Sequence, residues 1–139
     1  MKLYKKGIIA GSFDLIHPGY IRMFSESKNV CDHLIIALQD DPTIDRPEKN
    51  KPVQTWEERK EILESIKQID EILYYSTEKE LYEVLKNTKY DVRILGSDYI
   101  GKTFTGHDLN KPIYFCERGH GYSLTELKKK IYNSLSLKK

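Results

Sequence analysis

With 139 residues the sequence has the length of one domain, and folding a chain of this size removes roughly two-thirds of its extended surface from water, so one core suffices without cross-links. Its 23 basic and 21 acidic side chains leave a net charge of +2, which excludes a field strong enough to argue for nucleic acid, and two cysteines inside apolar runs, Cys31 and Cys116, exclude a disulfide framework. No segment has the length of a membrane span, and the basic start MKLYKKGIIAG has too short an apolar stretch for a signal core, so the cytoplasm is the expected address.

In chain order, the apolar run Gly7 to Ala10 ends at a glycine turn, and IRMFSESK follows with helical spacing at Ile21, Phe24 and Lys28. That predicts a strand, a tight loop and a helix. HLIIAL, from His33 to Leu38, is continuously apolar and predicts a strand buried on both faces. QDDPTIDRPEKNKPVQ is polar, contains Pro42, Pro47 and Pro52 and has no periodicity, so it predicts a long surface loop with a functional purpose.

Thr55 and Glu58 form a capping box ahead of a stripe of Trp56, Ile62, Leu63 and Ile66, which predicts the second helix. IDEILYY is the third strand, and Thr77 with Glu80 opens a third helix. VRILG and PIYFC supply two more strands, and Ser123 with Glu126 opens the last helix. Alternating strands and helices imply right-handed crossovers and a parallel sheet covered on both sides. The expectation is a single domain over residues 1–139, a Rossmann-like three-layer α/β sandwich on a five-stranded parallel sheet. The aromatic residues Trp56, Tyr74, Tyr75, Tyr82, Tyr114 and Phe115 are expected in packing, and His33 and His107 receive no role.

Ligands of such sheets bind beyond the carboxyl ends of the strands. The loop after the first strand, GSFDLIHPGY, therefore places Gly11, Ser12, Phe13, Asp14, His17, Gly19 and Tyr20 where helix N–H groups meet an anion.

GSFDLIHPGY resembles the G-T-F-D-x-x-H-x-G-H signature of the cytidylyltransferase family of nucleotidyltransferases, with glycerol-3-phosphate cytidylyltransferases the nearest. RKEILESIKQIDEIL, GSDYIGK and ERGHGYSLTELKKKI resemble, in order, three further elements of that family, so the likeness spans nearly the whole chain. The resemblance implies attack of an acceptor phosphate on the α-phosphorus of CTP, with Mg²⁺ on the triphosphate and release of pyrophosphate. The partners it implies are CTP, a small phosphorylated acceptor such as glycerol 3-phosphate, and a second copy of the chain in a homodimer.

By the same resemblance His17, Lys51 and Arg118 are catalytic candidates, and Asp14 either caps the loop or orients the metal. The nucleotide would meet the first loop together with Gly96, Asp98, Tyr99, Arg118, Gly121, Tyr122 and Ser123. Lys49, Lys51, Arg59 and Lys67 would face the acceptor. Two departures stand out. Tyr20 replaces the second histidine of the signature, and a phenol donates one hydrogen bond but does not readily carry positive charge. Lys67 replaces an arginine and loses its bidentate fork. Two alternatives stay open: an adenylyltransferase of the same fold, and a nucleotide-binding module whose catalysis was lost through Tyr20. The lysine-rich end of the chain reads as a solvated helix face.

Overall fold

The computed structural model describes residues 2–117 and 121–136. Its strands are β1 (Tyr4–Gly11), β2 (Cys31–Gln39), β3 (Glu71–Tyr75), β4 (Val92–Gly96) and β5 (Ile113–Cys116). The helices between and after them are α1 (Pro18–Val30), α2 (Trp56–Glu64), α3 (Glu78–Asn87) and α4 (Leu124–Ser136).

The strands form one five-stranded sheet in the order β3-β2-β1-β4-β5, parallel at every pairing. Strand order reverses between β1 and β4, which is where a parallel sheet opens a crevice at its carboxyl end. This is the expected sandwich. Each strand's period of two sends alternate residues to opposite faces. Ile9, Leu34, Ile36, Leu38 and Ile94 therefore pack on one face with Phe24 of α1 and Leu63 of α2. Ile8, Ile35 and Ala37 pack on the other with Leu81 and Leu85 of α3. Burying a side chain of this size contributes about 1.5–3 kcal/mol, so the two apolar layers fix the register of β1 and β2.

The helix starts follow the sequence with one variation. At α2 the capping box is complete, with Thr55 Oγ1 accepting from Glu58 N and the Glu58 carboxylate accepting from Thr55 N. At α3, Thr77 Oγ1 accepts from Glu80 N, but the Glu80 carboxylate reaches back one residue further, to Ser76 N. Ser123 Oγ accepts from Glu126 N at the start of α4. Cys31 and Cys116 are both buried and in no disulfide, and burial pushes the Cys31 thiol up from its ordinary value. Among the described residues, no helix is long and apolar enough to cross a membrane.

Candidate active site

The loop from β1 to α1 bends through two non-glycine residues in the left-handed region, Phe13 (φ 48°) and Leu15 (φ 50°). Such conformations cost on the order of 1–2 kcal/mol each and persist only when neighbours hold them. The holding group is Asp14. It is 1% exposed, and its two carboxylate oxygens accept from Val53 N (2.8 Å) and Gln54 N (3.0 Å). Gln54 returns the tie by accepting from Leu15 N at 3.1 Å. The long loop after β2 is thereby fastened to the first loop just before α2 begins.

His17 is the N-cap of α1, and its Nδ1 accepts from Gly19 N at 3.0 Å. An imidazole that accepts through Nδ1 carries its proton on Nε2 when neutral, so the ring has a fixed donor. The Tyr20 ring stacks on His17 with centroids 4.2 Å apart, and Phe13 meets Tyr20 edge-on. Tyr122 lies nearly parallel to His17 on a 6.3 Å spacing, with the Arg22 guanidinium over it. Tyr20 therefore acts on its neighbouring imidazole by stacking, a contact that the sequence departure did not reveal.

These residues open on a cleft of about 1250 Å³ at the carboxyl end of the sheet. Gly11, Ser12, Phe13, Asp14 and Tyr20 form one wall, and Gly96, the last residue of β4, and Tyr99 just beyond it form another. A smaller recess of about 220 Å³ holds His17, Gly19, Tyr122 and Ser123 and shares Tyr20, Met23, Leu124 and Thr125 with the main cleft. Gly121, next to Tyr122 in the chain, has φ 81° and lines neither space. Asp98 is exposed and off the cleft wall. Arg118 lies outside the described residues.

Lys49 lines the cleft, whereas Lys51 is turned outward, with its side chain 79% exposed and its ammonium 4.0 Å from Asp41. Two acceptor-binding expectations fail. Arg59 is 1% exposed, and its guanidinium donates to the carbonyls of Ser12 (2.8 Å), Gln39 (2.6 Å), Asp40 (2.7 Å), Gln54 (3.1 Å) and Thr55 (3.2 Å). It braces the two loops from within, with each of its three nitrogens bonded to backbone carbonyls. Burial lowers its pKa, opposed by Asp14, Asp40 and Asp41. Lys67 is exposed on the turn entering β3, at the amino end of the sheet, across the molecule from the cleft.

Of the two roles expected of Asp14, the structure shows the loop-capping one. Both its oxygens are taken by backbone N–H groups, and among the described residues no cluster of three His, Cys, Asp or Glu side chains gathers to ligate an ion. The described residues therefore do not build a Mg²⁺ centre from protein ligands alone.

Three cleft residues escaped the sequence reading. Lys128, on the second turn of α4, is half-buried with Nζ 4.0 Å from Asp14 Oδ2, so part of the supposed solvated lysine face points inward. Arg46 and Arg93 line the far end of the same cleft. Arg46 pairs with Glu78 at the start of α3. Arg93 was legible as a single charge inside the apolar run VRILG.

Comparison with known proteins bears on the family and the fold. A sequence profile described as Cytidylyltransferase-like matches residues 8–114. The glycerol-3-phosphate cytidylyltransferase of Bacillus subtilis is 31% identical over 127 residues, which cover 91% of this chain and 97% of that protein. The bifunctional protein HldE of Caulobacter vibrioides is 31% identical over 128 residues, 88% of this chain. The chain spans about a quarter of the length of that relative (26%). Among solved structures, a lipopolysaccharide core biosynthesis protein from Thermoplasma volcanium superposes with a TM-score of 0.65 at 21% identity, covering 82% of this chain and 95% of that one, which supports the fold.

Proposed function

The chain belongs to the cytidylyltransferase-like family and is a nucleotidyltransferase, and from that premise we propose that it transfers CMP from CTP to a small phosphorylated acceptor such as glycerol 3-phosphate. An acceptor phosphate oxygen bonds to the α-phosphorus, the bond from that phosphorus to the bridging oxygen breaks, and pyrophosphate leaves. No covalent enzyme intermediate is needed, so the protein's task is positioning and charge stabilisation.

The observation that carries this reading is the Nδ1 cap bond of His17. It commits the ring to an Nε2 donor suited to the α-phosphate oxygens, while Tyr20 and Tyr122 limit the ring's tilt. The start of α4, capped by Ser123, offers backbone N–H groups and the positive end of a helix dipole to the β- and γ-phosphates. Lys49 and Lys128 flank the path between the two loops. Arg118 keeps its phosphate role on sequence resemblance alone. Mg²⁺ belongs to the substrate, entering as the CTP complex. The reading includes a homodimer, as the resemblance implies, and a cytoplasmic address.

The test is pyrophosphate release with Mg²⁺ and each nucleoside triphosphate over a panel of small phosphate esters. Release with CTP alone is expected, and release with ATP alone makes the enzyme an adenylyltransferase. The stack of Tyr20 on His17 favours one second reading, a nucleotide-binding module. In that case CTP raises the melting temperature but no acceptor yields pyrophosphate. Tyr20→His is expected to raise kcat about tenfold, equivalent to about 1.4 kcal/mol of transition-state stabilisation. An unchanged kcat would show that the stack, rather than a second imidazole, is what this site requires.

A further inference from the structure

The cleft exceeds the volume of roughly 300–1,000 Å³ that houses a single small ligand, so at about 1250 Å³ it has room for two substrates. Its phosphate end, with His17 and the start of α4, lies on the α1 side of the sheet. The far end lies on the α3 side and is built from Arg46 of the loop after β2, Glu78 of α3, Arg93 of β4, and Phe104 and Thr105 of the loop before β5.

The charges there are uneven. Glu78 is matched by Arg46 through one carboxylate oxygen, and its other oxygen accepts from Thr105 Oγ1 at 2.8 Å. Arg93 has no carboxylate partner among the described residues. It is 6% exposed, with Nη1 donating to the Thr105 carbonyl at 2.7 Å and its guanidinium 5.6 Å from the Phe104 ring centroid. Gly106 (φ 88°) lets this loop settle over Leu85 and Arg93, since a Cβ there would lie 2.7 Å from Leu85 Cδ1. The loop thereby fixes the guanidinium plane while leaving one edge without a partner. Arg93 Nε is buried with no hydrogen bond, and so is Arg46 Nε.

A guanidinium edge of two parallel N–H groups fits a planar carboxylate bidentately. One uncompensated positive charge matches one negative charge, and the Glu78 carboxylate beside it disfavours the higher charge of a second phosphate. Resting on the reading of the cleft as a CTP site, we infer that the acceptor carries a carboxylate besides its reacting phosphate, and that Arg93, assisted by Arg46, binds that carboxylate.

Two probes of equal carbon skeleton isolate the group. Glycerol 3-phosphate and 3-phosphoglycerate are titrated by calorimetry into the protein loaded with Mg²⁺ and a non-hydrolysable CTP analogue. The expected result is at least tenfold tighter binding of 3-phosphoglycerate, a preference that falls to within twofold in Arg93→Met and is partly retained in Arg93→Lys. Equal affinity of the two esters, binding of neither, or a preference untouched by both substitutions overturns the inference while the analogue's own binding leaves the CTP reading standing. Failure of the analogue to bind overturns the CTP reading, and the inference with it. Should Arg93→Met fail to fold, the wild-type preference and Arg93→Lys decide the matter.

Discussion

Arg59 and Arg93 are 1% and 6% exposed, and both lose solvation to the same protein interior, yet they are built in opposite ways. The Arg59 guanidinium is surrounded by five backbone carbonyls drawn from the loop after β1, the end of β2 and the approach to α2. Arg93 gives one hydrogen bond to a carbonyl, lies beneath an aromatic ring and keeps a buried Nε without a partner. Burial lowers the pKa of both. A buried guanidinium's role is therefore read from where its donors end. A guanidinium whose nitrogens all bond the protein's own carbonyls holds loops together, and one on a cleft wall with an unmet donor is a place for an anion.

The comparison breaks most readily at Arg59. Arg59→Met removes five hydrogen bonds to backbone carbonyls and releases both loops, so urea unfolding should show a loss of about 3–5 kcal/mol. Arg59→Lys, which keeps the charge but has three donors on one nitrogen, should recover only part of that. If Arg59→Met retains full stability and loses only acceptor affinity, Arg59 is a binding residue and the contrast with Arg93 collapses.

The strands were legible in the sequence because each contains a short apolar run of strand length. VRILG coincides with β4, and HLIIAL lies inside β2, whose Leu34 to Leu38 are all within 1% of full burial. Helix starts were legible because a cap is local: Thr55, Thr77 and Ser123 all cap where three-residue spacing placed them. The site was legible in its first loop and less so elsewhere. The ties from Asp14 to Val53 and Gln54 join residues 39 and 40 positions apart, and nothing in either segment announces the other. Arg59 was misread for the same reason, since its partners come from three separate stretches of chain. Lys128 was hidden in a lysine run whose members differ only in helical phase. Arg93 did carry a signal, a charge within a run otherwise fit for a buried strand, and such a charge demands a partner.

Asp14 extends the accounting of partners to an anion. Asp14→Asn preserves shape but keeps only one acceptor oxygen, so one of the two N–H groups of Val53 and Gln54 faces an amide donor. The expected loss is about 1–3 kcal/mol by urea unfolding, with a raised KM for CTP as the long loop loosens. The Mg²⁺ concentration giving half-maximal activity should stay within a factor of two. A tenfold rise would make Asp14 a metal ligand after all, and would place the ion nearer the first loop than its hydrogen bonds allow.

The smallest expected effect on stability is the most informative about the contrast. Arg93→Met removes a hydrogen bond worth about 1 kcal/mol and a ring contact worth about 0.5–1 kcal/mol. It also removes the cost of burying a guanidinium that no carboxylate among the described residues pairs with directly, and methionine refills much of the stem's volume. These contributions oppose one another, so the variant should unfold within about 1 kcal/mol of wild type, on either side. A loss as large as that of Arg59→Met would mean that Arg93 holds the loop carrying Phe104 and Thr105 as Arg59 holds the loops around Asp14, and its open edge would then have no ligand to explain it. Near-neutral stability would leave the buried charge doing nothing for the fold, and an arginine kept there at no structural gain is best accounted for by the anion it is placed to meet.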